Sequence, residues 1–343
     1  MRAGSGSAGI LPASFGILPK VCFCGFILAL ASCGTLEFYS QATVGQLEML
    51  TKRQPIGKVA AETPDPRLRE RLALTRRLLD FAEQEMKMPS EGAYELYAEL
   101  GREHLVWVVH AAPELSMEPK RWWYPVVGCQ AYRGYFREDL ARAEAARLGE
   151  QGYETWIGGV DAFSTLGWFR DPVLDTFVHR AEVDYAELIF HELVHIKYYI
   201  PGTTAENEAL AEAVAREGVR RWFRHTGRPG LARRYDERLA RIAQAREAIV
   251  EASGRLRMVY AADRPDEWKR ARKREELARL NRDLRALRAE WGRGLKSWIE
   301  EPVNNARLNS FTTYEAGIPR FTRMLGDCDG DFERFWEVVG AGS

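Results

Sequence analysis

A long stretch from Leu231 to Trp291 is rich in Arg, Glu, Ala and Leu, a composition that strongly favours α-helix. Its apolar residues recur at steps of three and four, which is the spacing of one face of an α-helix. They are Tyr235, Leu239, Ile242, Ala245, Ile249, Ala252, Leu256 and Val259, then Leu277, Leu280, Leu284, Leu287 and Trp291. Pro265 cannot continue a helix. We therefore predict a helical hairpin over 231–291 whose two apolar seams pack together.

The rest of the chain mixes helices with a few short strands. Helical spacing runs from Pro66 to about Met88, and a second helix is predicted from about Arg137 to Gln151. The β-branched and aromatic segment His104 to Ala111 predicts a strand, with a shorter one at Tyr153 to Gly158. Of the 343 residues, 46% are hydrophobic and 29% charged, as in a globular protein with a core. The expected fold class is α+β, predominantly helical, with a small sheet.

The charge balance argues against nucleic acid as a partner. Lys+Arg and Asp+Glu both number 49, so the formal net charge is zero. A neutral chain lacks the overall attraction to phosphate on which nucleic-acid binding depends.

The N-terminus resembles a bacterial lipoprotein signal. Val21 to Ala31 is an unbroken apolar run of eleven residues, about 16 Å as a helix, which is too short to span a bilayer. It leads into Leu-Ala-Ser before Cys33, a lipobox-like sequence that predicts a signal peptide over 1–32 and a lipid on Cys33. Gly34, where Asp would signal inner-membrane retention, favours the periplasmic face of the outer membrane. A plain secretory signal or a membrane anchor is the alternative.

Cysteine usage is compatible with export. Cys22 and Cys24 would leave with the signal, which leaves Cys129 and Cys328 besides the lipid site. In an oxidising compartment these two could form a disulfide. Two separate buried thiols fit the sequence equally well.

Two histidines in the segment HELVH lie one helical turn apart. His191 and His195 are at i and i+4, so on a helix both imidazoles project from the same face. Glu192 lies beside that face, within reach of a water molecule on a bound ion. This arrangement is typical of zinc peptidases.

A second helix should follow a Pro-Gly break at Pro201 and Gly202. We expect Thr203 and Glu206 to form a capping box at its start. Glu208 would fall one turn into this helix, where Ala211 and Ala215 on the same face allow close helix packing. Glu212, one turn further, could accept a hydrogen bond from the outer nitrogen of a ligating histidine.

The two motifs together resemble those of the thermolysin-like zinc peptidases, the gluzincins. Their second motif, Asn-Glu-Ala-x-x-acid, matches residues 207–212, NEALAE. The resemblance implies a Zn²⁺ ion held by His191, His195 and Glu208, with Glu212 behind a histidine. Three features differ. Only twelve residues separate His195 from Glu208, Lys197 stands where an apolar residue is usual, and the final acid is Glu rather than Asp.

Nearly the whole chain after Cys33 is similar to a bacterial family of lipoprotein-type zinc peptidases named putative aminopeptidases. The blocks that carry this resemblance are LEFYSQATVGQLEML, PVVGCQAYRGYF, GGVDAFSTLGWFRDPVL, the HELVH region and NNARLNSFTTYEAGIPRF. It implies one zinc peptidase domain over 33–343, with a zincin-like core into which the hairpin 231–291 is inserted.

The expected function is hydrolysis of peptides in the cell envelope, with the lipid on Cys33 as the link to the membrane. Glu192 would be the general base for a water molecule activated by zinc. Tyr314 is the first choice as donor to the oxyanion, and His225 is an alternative. Tyr198 and Tyr199, which follow the helix of HELVH closely, are interpreted as structural.

Other functions remain open on the sequence alone. An envelope endopeptidase would use the same residues as an aminopeptidase. A non-catalytic lipoprotein could bind a partner through the hairpin and hold its ion structurally, although such a site has no need of Glu192. Asn304 and Asn305 could hold substrate backbone or cap a helix.

Overall fold

The structure is a computed structural model that describes residues 33–124, 128–162, 170–200, 203–311 and 317–341. The helices are α1 Cys33–Thr51, α2 Ile56–Glu62, α3 Pro66–Met86, α4 Glu138–Glu150, α5 Asp175–Val178, α6 Glu182–Lys197, α7 Thr204–His225, α8 Pro229–Ala261, α9 Asp266–Trp291, α10 Lys296–Glu300, α11 Asn305–Phe311, α12 Ile318–Asp327 and α13 Phe332–Ala341. The strands are β1 Gln54–Pro55, β2 Leu96–Ala98, β3 Val106–Pro113, β4 Trp122–Tyr124, β5 Gly128–Gln130, β6 Tyr132–Tyr135, β7 Tyr153–Val160 and β8 Val173–Leu174. This confirms a predominantly helical α+β fold with small sheets.

The described chain divides into two compact units. We call one the hairpin unit, residues 106–159 and 236–311, and the other the histidine unit, residues 33–105, 160–235 and 317–341. The signal-like segment 1–32 lies outside the described residues. No helix within the described ranges is both long and apolar enough to cross a membrane.

The hairpin unit contains, from residue 236 onward, the long helix pair expected from the sequence. Helix α8 begins at Pro229, two residues earlier than predicted, and α9 ends at Trp291 as predicted. The two seams share one core with α10 and α11. Its buried members include Ala245, Ile249, Ala252, Leu256, Leu280, Leu284, Trp298, Ile299 and Leu308. Ile242 was expected in the seam but is 36% exposed, so the tight contact begins one turn later.

A three-stranded sheet in the order β6-β3-β7 belongs to the same unit, with β3 and β6 antiparallel. Asn305 binds the chain that follows β3: its amide nitrogen donates to the carbonyls of Pro113, Glu114 and Ser116 at 2.9–3.1 Å. Asn304 accepts from the Arg307 amide at 2.9 Å and so caps α11. These bonds give both asparagines a structural role, in line with the capping alternative.

The histidine unit is built around α6 and α7, with α3 packed against both. Gly218 of α7 makes this packing close, because a Cβ there would lie 2.5 Å from Met86 of α3 and 2.8 Å from Phe190 of α6. A small sheet in the order β1-β2-β8 lies in the same unit, with β1 and β2 antiparallel and β2 and β8 parallel.

An ion pair fastens the start of α6 to the end of α7. The Glu182 carboxylate accepts two hydrogen bonds from the Arg228 guanidinium, at 2.6 and 2.7 Å, and one from the Trp222 indole at 2.8 Å. A two-pronged guanidinium–carboxylate contact is among the stronger charged hydrogen bonds. It fixes the ends of the two helices that lie away from the histidines.

We expect Glu182→Gln to reduce the free energy of unfolding by about 1–2 kcal/mol at pH 7, a charged hydrogen bond discounted for partial exposure. The hydrogen bond from Arg228 lowers the pKa of Glu182 below its ordinary 4.5, against the opposing effect of burial. A depressed folded-state pKa stabilises the protein above the unfolded-state pKa, and that stability is lost as the pH falls through the folded-state pKa. Urea unfolding at pH 7 and pH 3 checks this, because the gap between variant and wild type should narrow in acid. Glu83→Gln, at an exposed position of α3, is the control, and an equal gap at both pH values would contradict the argument.

Candidate metal centre

Helix α6 places both histidines of HELVH in the interior of the histidine unit. His191 and His195 are 2% exposed and Glu192 is 1% exposed, between apolar neighbours that bury the rest of the helix. The helix ends at Lys197, soon after His195, where the backbone of Tyr198 becomes extended. The Tyr198 hydroxyl donates to the carbonyl of Val339 at 3.0 Å, which gives this tyrosine a structural role. Pro201 and Gly202, the predicted break, lie outside the described residues.

The predicted capping box at the start of α7 is wrong. Thr203 makes no side-chain capping bond, and its hydroxyl donates instead to the carbonyl of Ile200 at 3.1 Å. Glu206 is exposed and accepts a hydrogen bond from Arg320 at 2.9 Å. The capping box does not form, because the Thr203 hydroxyl bonds the Ile200 carbonyl and the Glu206 carboxylate bonds Arg320.

Asn207 closes the connection between the two helices. Its side-chain oxygen accepts from the Ile200 amide at 2.9 Å, and its side-chain nitrogen donates to the Ile200 carbonyl at 2.7 Å. From the sequence alone, Asn207 is only part of a family motif. Its residue type explains the result, because an amide side chain can satisfy a backbone donor and a backbone acceptor at once.

The side chains of His191, His195 and Glu208 converge on one point. The Nε2 atoms of the two histidines lie 3.2 Å apart. Glu208 is 6% exposed, and its carboxylate oxygens lie 3.2 Å from His191 Nε2 and 3.5 Å from His195 Nε2. One atom from each residue falls within a common span of 4.8 Å. The convergence predicted from the spacing of the two motifs is therefore present.

Glu212 lies behind this cluster, on the outer side of His191. Its Oε2 is 3.6 Å from His191 Nδ1, while its Oε1 accepts from Arg216 Nε at 2.9 Å and from Nη2 at 2.8 Å. Burial alone would raise the pKa of Glu212, but contact with His191 and the charge of Arg216 outweigh it and hold the pKa at about 2. Glu212 is therefore an anion that can hold the Nδ1 proton of His191. The motifs in the sequence do not indicate this role of Arg216.

Glu192 is a buried carboxyl group that lacks the hydrogen bonds usual for a buried acid. Both of its carboxylate oxygens are buried and have no hydrogen-bond partner among the described residues. Burial raises its pKa to about 8, and the nearby charges of Glu208 and Asp171 contribute in the same direction. A carboxyl group in this state is suited to gaining and losing a proton near neutral pH.

The donor set fits a divalent metal ion. Two imidazole nitrogens that face each other at 3.2 Å repel unless a proton or a cation lies between them. Two nitrogens and one carboxylate oxygen are ligands that zinc and similar transition metals accept in proteins. With three protein ligands, a further coordination position is left for water or substrate.

The other predicted site residues fall outside the cluster or outside the described chain. His225 lies seventeen residues beyond Glu208 on the same helix, about 25 Å away at 1.5 Å per residue, and its ring packs on Phe81 and Trp222. Tyr314 lies outside the described residues. Burial and the charge of Glu208 raise the pKa of Tyr199. Cys129 is exposed and Cys328 buried, and both are free thiols.

Comparison with known families places most of the chain in one of them. Residues 37–341 match the family described as "Putative aminopeptidase". Searches among curated proteins and among solved structures found no similar protein.

Proposed function

We propose that this chain, a member of the "Putative aminopeptidase" family, is a zinc-dependent peptidase whose metal site is the cluster on α6 and α7. The family description indicates peptide hydrolysis. The observation that carries the metal dependence is the convergence of His191, His195 and Glu208 within 4.8 Å, beside a buried carboxylate without hydrogen bonds.

Zinc is the metal that the donor set favours. The two histidines offer nitrogen and Glu208 offers oxygen, in the same combination as the gluzincin motifs that the sequence resembles. A zinc ion held there would lower the pKa of a water ligand toward 7 and polarise the substrate carbonyl.

Glu192 supplies the proton transfers. Its carboxylate accepts a proton from the attacking water as the water oxygen bonds to the carbonyl carbon of the substrate. When the carbon–nitrogen bond breaks, the same proton passes to the leaving amine. Glu192 is returned to its starting state, so the reaction consumes only water.

Glu212 and Arg216 orient His191. An anionic Glu212 keeps the proton of His191 on Nδ1, which turns the Nε2 lone pair toward the cluster. Arg216 in turn fixes the position of Glu212. The longer Glu side chain, in place of the Asp usual in gluzincins, is held by this arginine one turn further along α7.

The test combines metal analysis with peptide cleavage by the full chain. We expect one zinc ion per chain, cleavage of a peptide library, loss of cleavage on chelation and recovery on addition of zinc. Cleavage confined to peptides with a free N-terminus would support the aminopeptidase assignment, whereas cleavage of N-terminally blocked peptides would replace it with an endopeptidase. Zinc binding without any cleavage would leave a metal-binding lipoprotein.

We expect Arg216→Met to weaken zinc binding by up to about tenfold. This is the lower end of the affinity lost when a residue that orients a metal ligand is removed. Methionine keeps the apolar stem but removes the two hydrogen bonds to Glu212. Competition with a chromogenic chelator measures the affinity. Arg220→Met, one turn further on α7 and paired with Glu217, is the control. Equal affinities in the two variants would show that Arg216 does not act through Glu212.

We also propose that the protein acts in the cell envelope as a lipoprotein, because a lipobox-like sequence ends at Cys33. Mass spectrometry of the purified N-terminus tests for the lipid.

A further inference from the structure

The outer side of helix α9 carries four exposed arginines. The buried residues of this helix, Lys273, Leu280 and Leu284, mark its inner side, which faces the core of the hairpin unit. On the opposite side, at about 100° per residue, the four arginines fall within a sector of about 140°. We call them the arginine face: Arg274, Arg279, Arg282 and Arg285.

The arginine face lacks acidic partners. None of its members forms an ion pair with another described residue, and the Arg285 guanidinium donates instead to the neutral side chain of Asn281 at 2.7 Å. On a helix, an acid four residues further along would pair with an arginine. For Arg274, Arg282 and Arg285 that position is an alanine in each case. The positive charges of the face are therefore left toward solvent.

Acids in or beside the same sector do not cancel this charge. Glu275 lies in the sector, but its carboxylate accepts a hydrogen bond from Arg272 at 2.6 Å. Asp283 and Glu290 lie beyond its edge and bring two negative charges against four positive ones. Over the whole hairpin, residues 231–291, seventeen Lys and Arg stand against eleven Asp and Glu, although the chain as a whole is neutral. Positive charge is thus concentrated in the hairpin.

A flat anionic surface fits this face better than a nucleic acid does. The face spans eleven residues, about 16 Å along one convex side of a helix, so its guanidinium groups can meet several phosphates in one plane. Proteins that bind single-stranded nucleic acids add aromatic side chains on which the bases stack. Helix α9 has no aromatic residue between Trp268 and Trp291.

We propose that the arginine face of α9 is a contact surface for the anionic headgroups of a phospholipid membrane. The contact is electrostatic, because the guanidinium groups bond lipid phosphates while the apolar residues of α9 stay in the core. It is separate from peptide hydrolysis, and its choice of partner rests on the proposed envelope location. A lipid on Cys33 would bring the chain to the membrane, and the arginine face would hold the hairpin unit against it.

Flotation of the full chain with phospholipid vesicles tests this contact. The measured quantity is the ratio of two partition coefficients, one for phosphatidylcholine vesicles with about 30% phosphatidylglycerol and one for pure phosphatidylcholine vesicles. An apolar leader or a lipid at the N-terminus contributes equally to both. We expect a ratio of about 10 to 100, since each basic residue near an anionic surface strengthens attachment about fivefold. The ratio should approach one in about 0.5 M NaCl, because salt screens exposed charges.

Two variants of equal net charge separate the arginine face from charge in general. The first combines Arg274→Gln, Arg279→Gln, Arg282→Gln and Arg285→Gln. The control combines Arg67→Gln, Arg77→Gln, Arg233→Gln and Arg234→Gln, all at exposed positions of the histidine unit. Glutamine is nearly as good a helix former as arginine, so both variants should keep the thermal midpoint of the wild type. The first should lose at least about tenfold of the ratio, and the control should keep it within about threefold.

A wild type that floats equally with both kinds of vesicle, or equal losses in the two variants, would overturn the membrane contact. Fluorescence anisotropy with a short labelled duplex DNA and a short labelled RNA measures the alternative. Binding there that only the arginine-face variant loses, without a preference for anionic vesicles, would replace the membrane with a nucleic acid. A normal vesicle response in a protein without lipid on Cys33 would remove the lipid anchor and support the arginine face.

Discussion

Glu192→Gln is expected to lower kcat about 10²- to 10⁴-fold, the contribution typical of a positioned general base. Glutamine has the shape of glutamate but cannot accept the proton of the attacking water. Both oxygens of Glu192 are buried without a partner among the described residues, so no structural hydrogen bond is broken by the change. Because the buried carboxyl group has no such partner to lose, the free energy of unfolding should equal or exceed that of the wild type.

The measurement for this variant is kcat on a cleaved peptide together with zinc content and the urea midpoint. Asp184→Asn, an acid-to-amide change in the first turn of the same helix, is the control and should retain activity. Full zinc content, unchanged stability and normal kcat in Glu192→Gln would exclude this residue as the base.

Glu208→Ala is expected to weaken zinc binding more than about 100-fold, since the loss of an outer hydrogen-bond partner alone costs 10- to 100-fold. Among the described residues, the variant leaves His191 and His195 as the proposed ligands of the cluster. Zinc binding to the native state should also stabilise the wild type, by about 4 kcal/mol at a free zinc concentration a thousand times Kd. That zinc-dependent rise in thermal midpoint should disappear in Glu208→Ala.

Thermal unfolding with excess chelator and with added zinc measures both effects. Glu206→Ala, two residues earlier on α7 and exposed, is the control and should keep the full response to zinc. A normal zinc response in Glu208→Ala would mean that Glu208 is not a ligand, even though its oxygens lie beside both histidines.

The helices and the central cluster could be predicted because each depends on local spacing. The hairpin follows from apolar residues at steps of three and four, and His191 and His195 share a face because they are one turn apart. Glu208 could be placed with them because the connection between α6 and α7 is short. Zinc is indicated by ligand type alone.

Other contacts could not be predicted because they join residues that are distant in the sequence. The partner of Glu206 is Arg320, on a helix near the C-terminus, and this contact replaced the expected capping box. Arg216 is one turn from Glu212, but its role is evident only when Glu212 is seen behind His191.

The two hydrogen bonds between the Asn207 side chain and the Ile200 backbone have a consequence for how the protein folds. Every donor of the cluster lies between positions 191 and 212, on two helices joined by a connection that the asparagine fastens. Bringing these side chains together closes only a short loop of chain. Because the entropy lost in loop closure grows with loop length, this step costs little. The residues proposed to hold the ion can therefore assemble as a local event, before the distant segments of the histidine unit have joined.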